Sequence, residues 1–429
     1  MKLEKTNYKL QSVASEKIYD DSGWMLAAPG ETTPGFVRTV YEKKQLELKG
    51  EAYGLYTFAD WMPVQRMLEG SAPPVTYKSE GLAKELGLSN LWITFSGYWP
   101  EKGAMMRTCS FKETEAYTVC GRMDNNSDKI LVVASAGNTA RSFARVCSDN
   151  NIPLLLVVPE DYIKDLWFDK PINDCVKLIS SKAGSDYYDA IHLSNIAIEL
   201  DRFFPEGGAK NVARREGMGT TVLSAVTTIG RIPDYYFQAV GSSTGAISAW
   251  EANMRFIEDG RYGNNKMKLM VAQNEPFVIL QEAWRADSRE ILPMDDDEAR
   301  KKVDKIISKV LSNRKPAYSL AGGLYDALKD TGGDVLTVSN EKLLAAAELF
   351  KKLEGNDIHS AAATATATLI DAVKNGVVEK DATIMLNITG GGEQRLQNEK
   401  ELFYLKPAKI FDIDADRDWV SKEIDSLFS

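Results

Sequence analysis

Lys129-Ile130-Leu131-Val132-Val133-Ala134-Ser135-Ala136-Gly137-Asn138-Thr139 changes character at its middle. The apolar, β-branched half is too short for a core helix and reads as a buried strand. Ser135 to Thr139 then supplies the Gly, Asn and hydroxyl residues of a turn, and a helical pattern follows to about residue 149. The unit is therefore strand, loop, helix. It recurs. Downstream, Pro153-Leu154-Leu155-Leu156-Val157-Val158 and Val176-Lys177-Leu178-Ile179 read as strands, and residues 185–200 as a helix. Upstream, a strand at 75–77, a helix over 80–86 and a strand at 91–95 precede a helix that starts behind Ser110. Beyond lie a helix at 217–229, a strand at 235–240, a helix at 247–258 and a strand at 268–272. A charged helical stretch at 285–313, helices at 341–354 and 361–375, and an inner strand at 383–388 complete the pattern. Alternation at this spacing predicts right-handed crossovers and a parallel sheet, an α/β fold. Residues 1 to about 60 differ, with short strand-like runs at 8–10, 23–26 and 35–41 between turn residues.

Composition narrows the function. A length of 429 residues suits two or three domains, and 44% hydrophobic with 26% charged residues is ordinary for a globular chain. The net charge of −9 offers no general basic surface for nucleic acid or anionic membrane. Any anionic substrate must meet a local cluster of cations. Four cysteines without a CxxC pair and only two histidines, His192 and His359, argue against a disulfide scaffold and a metal site, so no metal is expected. The polar start of the chain and the lack of an apolar run near ~18 residues predict a cytoplasmic protein without a signal peptide or membrane span.

Four loops carry candidate chemistry. In Thr108-Cys109-Ser110-Phe111-Lys112-Glu113, Ser110 is placed to cap the following helix, with Glu113 closing a capping box. Lys112 falls in the first turn, where the positive end of the helix dipole lowers an amine pKa, and a free amine is a nucleophile and a base. The Ser135–Thr139 loop offers hydroxyls, an amide and backbone N–H groups; Gly241-Ser242-Ser243-Thr244-Gly245 offers three hydroxyls and several N–H groups, the makings of a phosphate cradle without the spacing of a P-loop or GxGxxG site. Thr389 ahead of Gly390-Gly391-Gly392 puts a hydroxyl where backbone can approach a planar ligand. Each is equally readable alone as a surface lysine, a helix cap, a βα turn or a strand end. Together they meet the needs of pyridoxal 5′-phosphate: Lys112 for the Schiff base, Gly241, Ser242, Ser243, Thr244 and Gly245 for the phosphate, Asn138 for the ring hydroxyl and Thr389 for the ring nitrogen.

At these residues, over roughly positions 60 to 420, the chain resembles the tryptophan-synthase-β-like, fold type II pyridoxal-phosphate enzymes. Ser110-Phe111-Lys112 is similar to the Ser-Phe-Lys of threonine synthases, and the Ser135–Thr139 loop to their Ser-Gly-Asn-Thr. The order of Leu55-Tyr56 and Trp61-Met62-Pro63-Val64 ahead of them is also similar. Glu113-Thr114 replaces the usual Asp-Arg, the approach Tyr98 to Thr108 is longer, and Gly391-Gly392-Glu393-Gln394-Arg395 is faintly similar to the Gly-Glu-Arg of cysteine synthases. This combination most closely resembles the cysteate synthase family.

The resemblance implies two lobes, each with a mostly parallel twisted sheet flanked by helices: a large lobe of 66–128 and 235–429, and a small lobe of 129–234 inserted after the Lys112 helix. A β-rich extension, 1–65, stands where relatives carry a cysteine-bearing ribbon, here without zinc cysteines. It further implies β-replacement on O-phospho-L-serine by sulfite, giving L-cysteate and phosphate for coenzyme M biosynthesis, through a Lys112 aldimine and an aminoacrylate. Ser135, Thr139, Arg107 and Arg141 are the expected substrate ligands, with Lys102 and Arg395 as further cations. Threonine synthase, acting on phosphohomoserine with water, and a phosphoserine-dependent cysteine synthase are the nearest alternatives; a non-catalytic Rossmann-type sensor is one from another class. The partners expected are these small molecules and further copies of the chain, as a dimer or trimer.

Overall fold

Six strands, in the order Asp334–Val338, Lys268–Asn274, Tyr235–Ala239, Thr383–Ile388, Asn90–Phe95 and Val75–Lys78, form the larger sheet of the computed structural model. The structure describes residues 3, 6–124, 128–135, 137–184 and 187–429. Every pairing in this sheet is parallel except that of the edge strand Val75–Lys78. The sequence explains the difference. Tyr235–Ala239 and Thr383–Ile388 are buried at every position, as strands covered on both faces must be, whereas the edge strand has no fully buried residue. A second sheet, wholly parallel, runs Phe203–Pro205, Ile130–Ala134, Leu154–Val157, Val176–Ser181, Lys409–Phe411. The last of these strands comes from the C-terminal segment, and the helix Arg417–Ser426 behind it buries Val420 and Ile424 with Leu193 and Ile196 of the helix Tyr187–Ala197.

Near the N-terminus, Ile18–Tyr19, Tyr8–Ser12 and Val37–Tyr41 make a three-stranded antiparallel sheet. The expected strand at 23–26 is absent: Trp24 has φ 51°, and its indole N–H donates to the Pro205 carbonyl at 2.7 Å. The stretch 285–313 is helical only at Asp296–Lys305 and in the single turn Lys309–Leu311. Pro293 precedes the first of these, and the Asp295 carboxylate starts it by accepting from the N–H groups of Asp297 and Glu298. The helix expected over 185–200 spans Tyr187–Ala197; Ser185 lies outside the described residues, as does Ala136 of the quoted loop.

The helix Lys112–Arg122 sits at the centre, packed between the helices Asn138–Asp149 and Val212–Ile229. Ala116, Tyr117, Val119 and Cys120 join one core with Phe143 and Leu223. Gly217 permits the approach: a Cβ there would lie 2.5 Å from the Thr114 carbonyl oxygen, so any larger residue would push the helices apart. Among the described residues, no helix is long and apolar enough to cross a membrane.

Candidate active site

The Lys112 helix starts differently from the expected capping box. Ser110 Oγ accepts from the Lys112 N–H at 3.3 Å, but Glu113 turns back to Thr108, accepting from its N–H at 2.8 Å and its hydroxyl at 2.9 Å. Cys109 is the cause. Its left-handed backbone (φ 55°) bends the chain so that Thr108, and not the Ser110 N–H, meets the Glu113 carboxylate. Glu113 is 1% exposed, and burial raises its carboxyl from the ordinary 4.5 to about 7. A carboxyl raised on folding stabilises the fold below pH 4.5 and loses that contribution as the pH climbs through about 7. Glu113→Gln, which keeps an acceptor for Thr108 without the charge, is therefore expected to raise the melting temperature at pH 8 and to leave it unchanged near pH 4.5. The gain corresponds to as much as about 3 kcal/mol. Thermal unfolding at the two pH values checks it; a gain at pH 4.5 equal to that at pH 8 would contradict the assignment.

Lys112 Nζ lies 3.3 Å from Glu115 Oε2 and 5.0 Å from the Phe111 ring centroid. Its amine pKa is lowered. Burial is the largest cause, and Arg214 adds to it while Glu115 opposes it, so the direction expected from the helix end stands on a different ground. Glu115 is wholly buried; it accepts from Lys112 and from the Thr139 hydroxyl at 3.1 Å, and is ion-paired with Arg214, whose Nε lies 3.1 Å away. Arg214 Nη1 in turn lies 2.7 Å from Glu206 Oε2. Burial pushes the Glu206 carboxyl up, against the pull of Arg214. Two cations and two carboxylates thus compensate one another out of water, the condition under which buried charge is tolerated. None of Glu115, Arg214 and Glu206 was expected from sequence. Glu115 could have been, because positions three apart share a helix face; Arg214 and Glu206 carry no local signal.

Asn138 opens the helix Asn138–Asp149, and its Oδ1 accepts from Arg141 Nη2 at 2.8 Å. A guanidinium can only donate, so the amide oxygen must face Arg141 and the Nδ2 donors are turned away from it. Arg141 also donates to the Thr108 carbonyl at 3.1 Å and lies 4.0 Å above the Trp167 ring centroid. Glu393 stands 3.5 Å from Arg141 and 2.7 Å from His359 Nε2, and despite burial the His359 and Arg141 contacts hold its carboxyl down at about 2. Arg141 therefore orients Asn138 and ties the helix to the Lys112 approach.

Thr389 follows the strand Thr383–Ile388, and its carbonyl accepts from the Phe111 N–H at 2.9 Å, with Ser110 and Gly390 paired alongside. The neighbouring strand Tyr235–Ala239 lies parallel, Phe237 opposite Leu386, so the loop 241–245 leaves the same sheet edge as Thr389. Its helix, Thr244–Asp259, begins earlier than the expected 247. Ser243 precedes it with φ 69°, and its Oγ is buried without a protein partner. Ser242 Oγ and Thr244 Oγ1 share a hydrogen bond of 2.9 Å. A Cβ on Gly245 would come within 2.5 Å of the Gln238 amide, so the loop has room only for backbone there. Ser135 is half-buried, with its N–H donating to the Val157 carbonyl at 3.2 Å.

Direct bonds thus join Lys112 with Thr139 through Glu115, Asn138 with Thr108 through Arg141, and Thr389 with Phe111; sheet register brings the 241–245 loop to the same edge. Three of the expected cations already have other contacts. Arg107 is held by both oxygens of Asp169, at 2.7 and 2.8 Å, and by Asp149 at 2.7 Å, so its charge is already matched. Lys102 is exposed over the Tyr77 ring at 4.2 Å, and Arg395 is paired with Glu101 and Glu399.

Residues 73–390 match the family model described as pyridoxal-phosphate dependent enzyme. The cysteate synthase of Methanosarcina acetivorans is 50% identical to this chain over 88% of it and 91% of the relative. That of Methanosarcina barkeri is 46% identical over 96% and 99%, and that of Methanocorpusculum labreanum 44% identical over 92% and 95%. Among solved structures, maize serine racemase superposes with a TM-score of 0.57 at 14% identity, covering 76% of this chain and 91% of its own. The processed form of threonine deaminase isoform 2 from Solanum lycopersicum gives 0.53 at 17% identity, over 76% and 83%. At such identities these structures speak for the fold alone.

Proposed function

We propose, from the premise that this chain belongs to the pyridoxal-phosphate dependent enzymes and within them to the cysteate synthase family, that it makes L-cysteate by replacing the phosphate of O-phospho-L-serine with sulfite. The observation that carries the reading is the half-buried Lys112 amine, lowered in pKa and next to the Phe111 N–H that bonds the Thr389 carbonyl. The residues around it fit the cofactor. Ser243 Oγ is a buried hydroxyl lacking a partner, beside the free first-turn N–H groups of a 16-residue helix, and Gly245 keeps that turn open to a phosphate. The Asn138 Nδ2 donors, turned away from Arg141, suit the ring hydroxyl, and the Thr389 hydroxyl suits the ring nitrogen.

When bound, pyridoxal phosphate supplies the electron sink that makes the α-proton of an amino acid removable and its β-substituent a leaving group. Lys112 Nζ, as a neutral amine, takes that proton and later returns it to Cα. Glu115, 3.3 Å away, meets the positive charge that Lys112 carries between those events. Thr389 as a hydroxyl partner leaves the ring nitrogen without a full charge, which favours prompt loss of the β-group. Sulfite needs no base from the protein, because its dianion is already nucleophilic near neutral pH. Ser135 on the loop and the Thr139 N–H in the first helical turn lie on either side of Asn138 in the chain and are the proposed contacts of the substrate carboxylate.

The test supplies purified protein with phosphoserine plus sulfite, plus sulfide, or alone, and with phosphohomoserine, and measures phosphate and amino-acid products. Phosphate and L-cysteate are expected from the first mixture. Threonine from phosphohomoserine, or no phosphate from phosphoserine, would overturn the reading.

A further inference from the structure

Away from Lys112, a cavity of about 250 Å³ opens between the strand Val37–Tyr41 and the helices Val212–Ile229 and Thr244–Asp259. None of the residues lining it belongs to the Lys112 constellation. Four of the residues that line it each hold a polar atom buried without a protein partner: Arg38 Nη2, Tyr41 Oη, Glu216 Oε2 and Arg255 Nε. Tyr41 is only 3% exposed and Glu216 2%. Buried polar groups are rarely left unpaired, and four on the residues lining one cavity point to something that binds there.

The bonds these side chains do make fix them in place. Arg38 Nε donates to Glu251 Oε1 at 3.2 Å, and the guanidinium lies 4.2 Å above the Trp250 ring centroid. Arg255 Nη1 donates to Glu216 Oε1 at 2.5 Å and to Thr39 Oγ1 at 3.2 Å. What remains is a fixed set of unmet demands: two guanidinium N–H groups and a phenol that can each donate, and one carboxylate oxygen that can only accept. The donors call for an oxyanion and the acceptor for an ammonium. Trp61 and Met254 add apolar wall. The volume lies below the ~300–1,000 Å³ of pockets that take drug-sized ligands.

We infer that this cavity is a second binding site, for a small zwitterion bearing an ammonium and an oxyanion, with a free α-amino acid as its occupant. The donors from Arg38, Tyr41 and Arg255 take the carboxylate and Glu216 Oε2 takes the ammonium. The two helices that wall it also reach the active site, since Val212–Ile229 carries Arg214 and Thr244–Asp259 begins at the 241–245 loop.

The test is titration calorimetry of holoenzyme with glycine, L-alanine, L-aspartate and L-glutamate at millimolar concentration, with the visible spectrum of the cofactor followed in parallel. At least one is expected to bind without perturbing that spectrum, which separates this site from binding at Lys112. Tyr41→Phe and Glu216→Gln are each expected to weaken that binding about tenfold, with turnover of Tyr41→Phe in the absence of added amino acid unchanged. Hydrogen exchange should slow at 37–41 and 251–258 when the ligand is present. No spectrally silent binding from any of the four, or equal affinity in wild type and both variants, would overturn the site.

Discussion

Lys112→Ala is expected to abolish turnover while leaving the chain folded. In the proposed role, removing the amine removes the group that moves the α-proton, an effect of about 10²–10⁴-fold from proton transfer alone, and the covalent anchor of the cofactor as well. A loss of at least about 10³-fold in kcat/KM follows, together with loss of the protein-bound visible absorption band. The fold survives because Glu115 keeps Arg214 and Thr139 as partners, so no carboxylate is stranded. Lys112→Arg should be as inactive, since a guanidinium stays charged at any working pH and cannot act as the base. Activity within tenfold of wild type in either variant would remove Lys112 from the chemistry.

Glu115→Ala carries the second large effect, and here the fold suffers too. It takes the carboxylate from between Lys112 and Arg214 and leaves Thr139 without its acceptor, all in a position shut off from solvent. Breaking a buried ion network at one member costs about 3–5 kcal/mol, which a fall in the urea midpoint would report. Glu115→Gln separates position from charge. The amide oxygen still accepts from Lys112, while its NH2 group faces the Thr139 hydroxyl oxygen as a donor, and the charge that raises the Lys112 pKa is gone. A lower Lys112 pKa means the neutral amine persists to lower pH, so the acidic limb of the kcat/KM profile should move down. A profile that stays in place while stability falls would leave Glu115 with a structural role only.

Glu113 and Glu115 show why neighbouring carboxylates on one helix diverge. Glu113 faces Thr108, with its hydroxyl and N–H, and burial raises it to about 7; Glu115 faces Lys112 and Arg214. Nothing in the string Glu113-Thr114-Glu115 distinguishes them. Much of the rest was legible. Strand composition revealed the parallel architecture, because strands covered on both faces must be apolar throughout. Lys112, Asn138, Thr389 and the 241–245 loop were also visible, because each stands where a strand hands over to a loop or helix, and its chemistry depends on that local geometry. Even there, local reasoning failed at Ser110, where the left-handed turn at Cys109 sent Glu113 to Thr108.

The cations were the part that sequence could not sort. Arg107 looked available because it lies beside Lys112, yet Asp149 and Asp169, distant in the chain, neutralise it. Arg141 is expected as a substrate ligand, and in the structure its hydrogen bonds go to Asn138 and the Thr108 carbonyl. Arg214, more than 100 positions beyond Lys112, carries no local signal and shares its carboxylate. The amino-acid sequence alone determined the fold class and the residue types of the candidate loops, because backbone periodicity and turn chemistry act over a few residues. Only the tertiary structure decided which charges are matched, which amide oxygen faces inward and which polar atoms are left without partners. Those outcomes depend on burial and on distances of a few ångströms between segments remote in the chain.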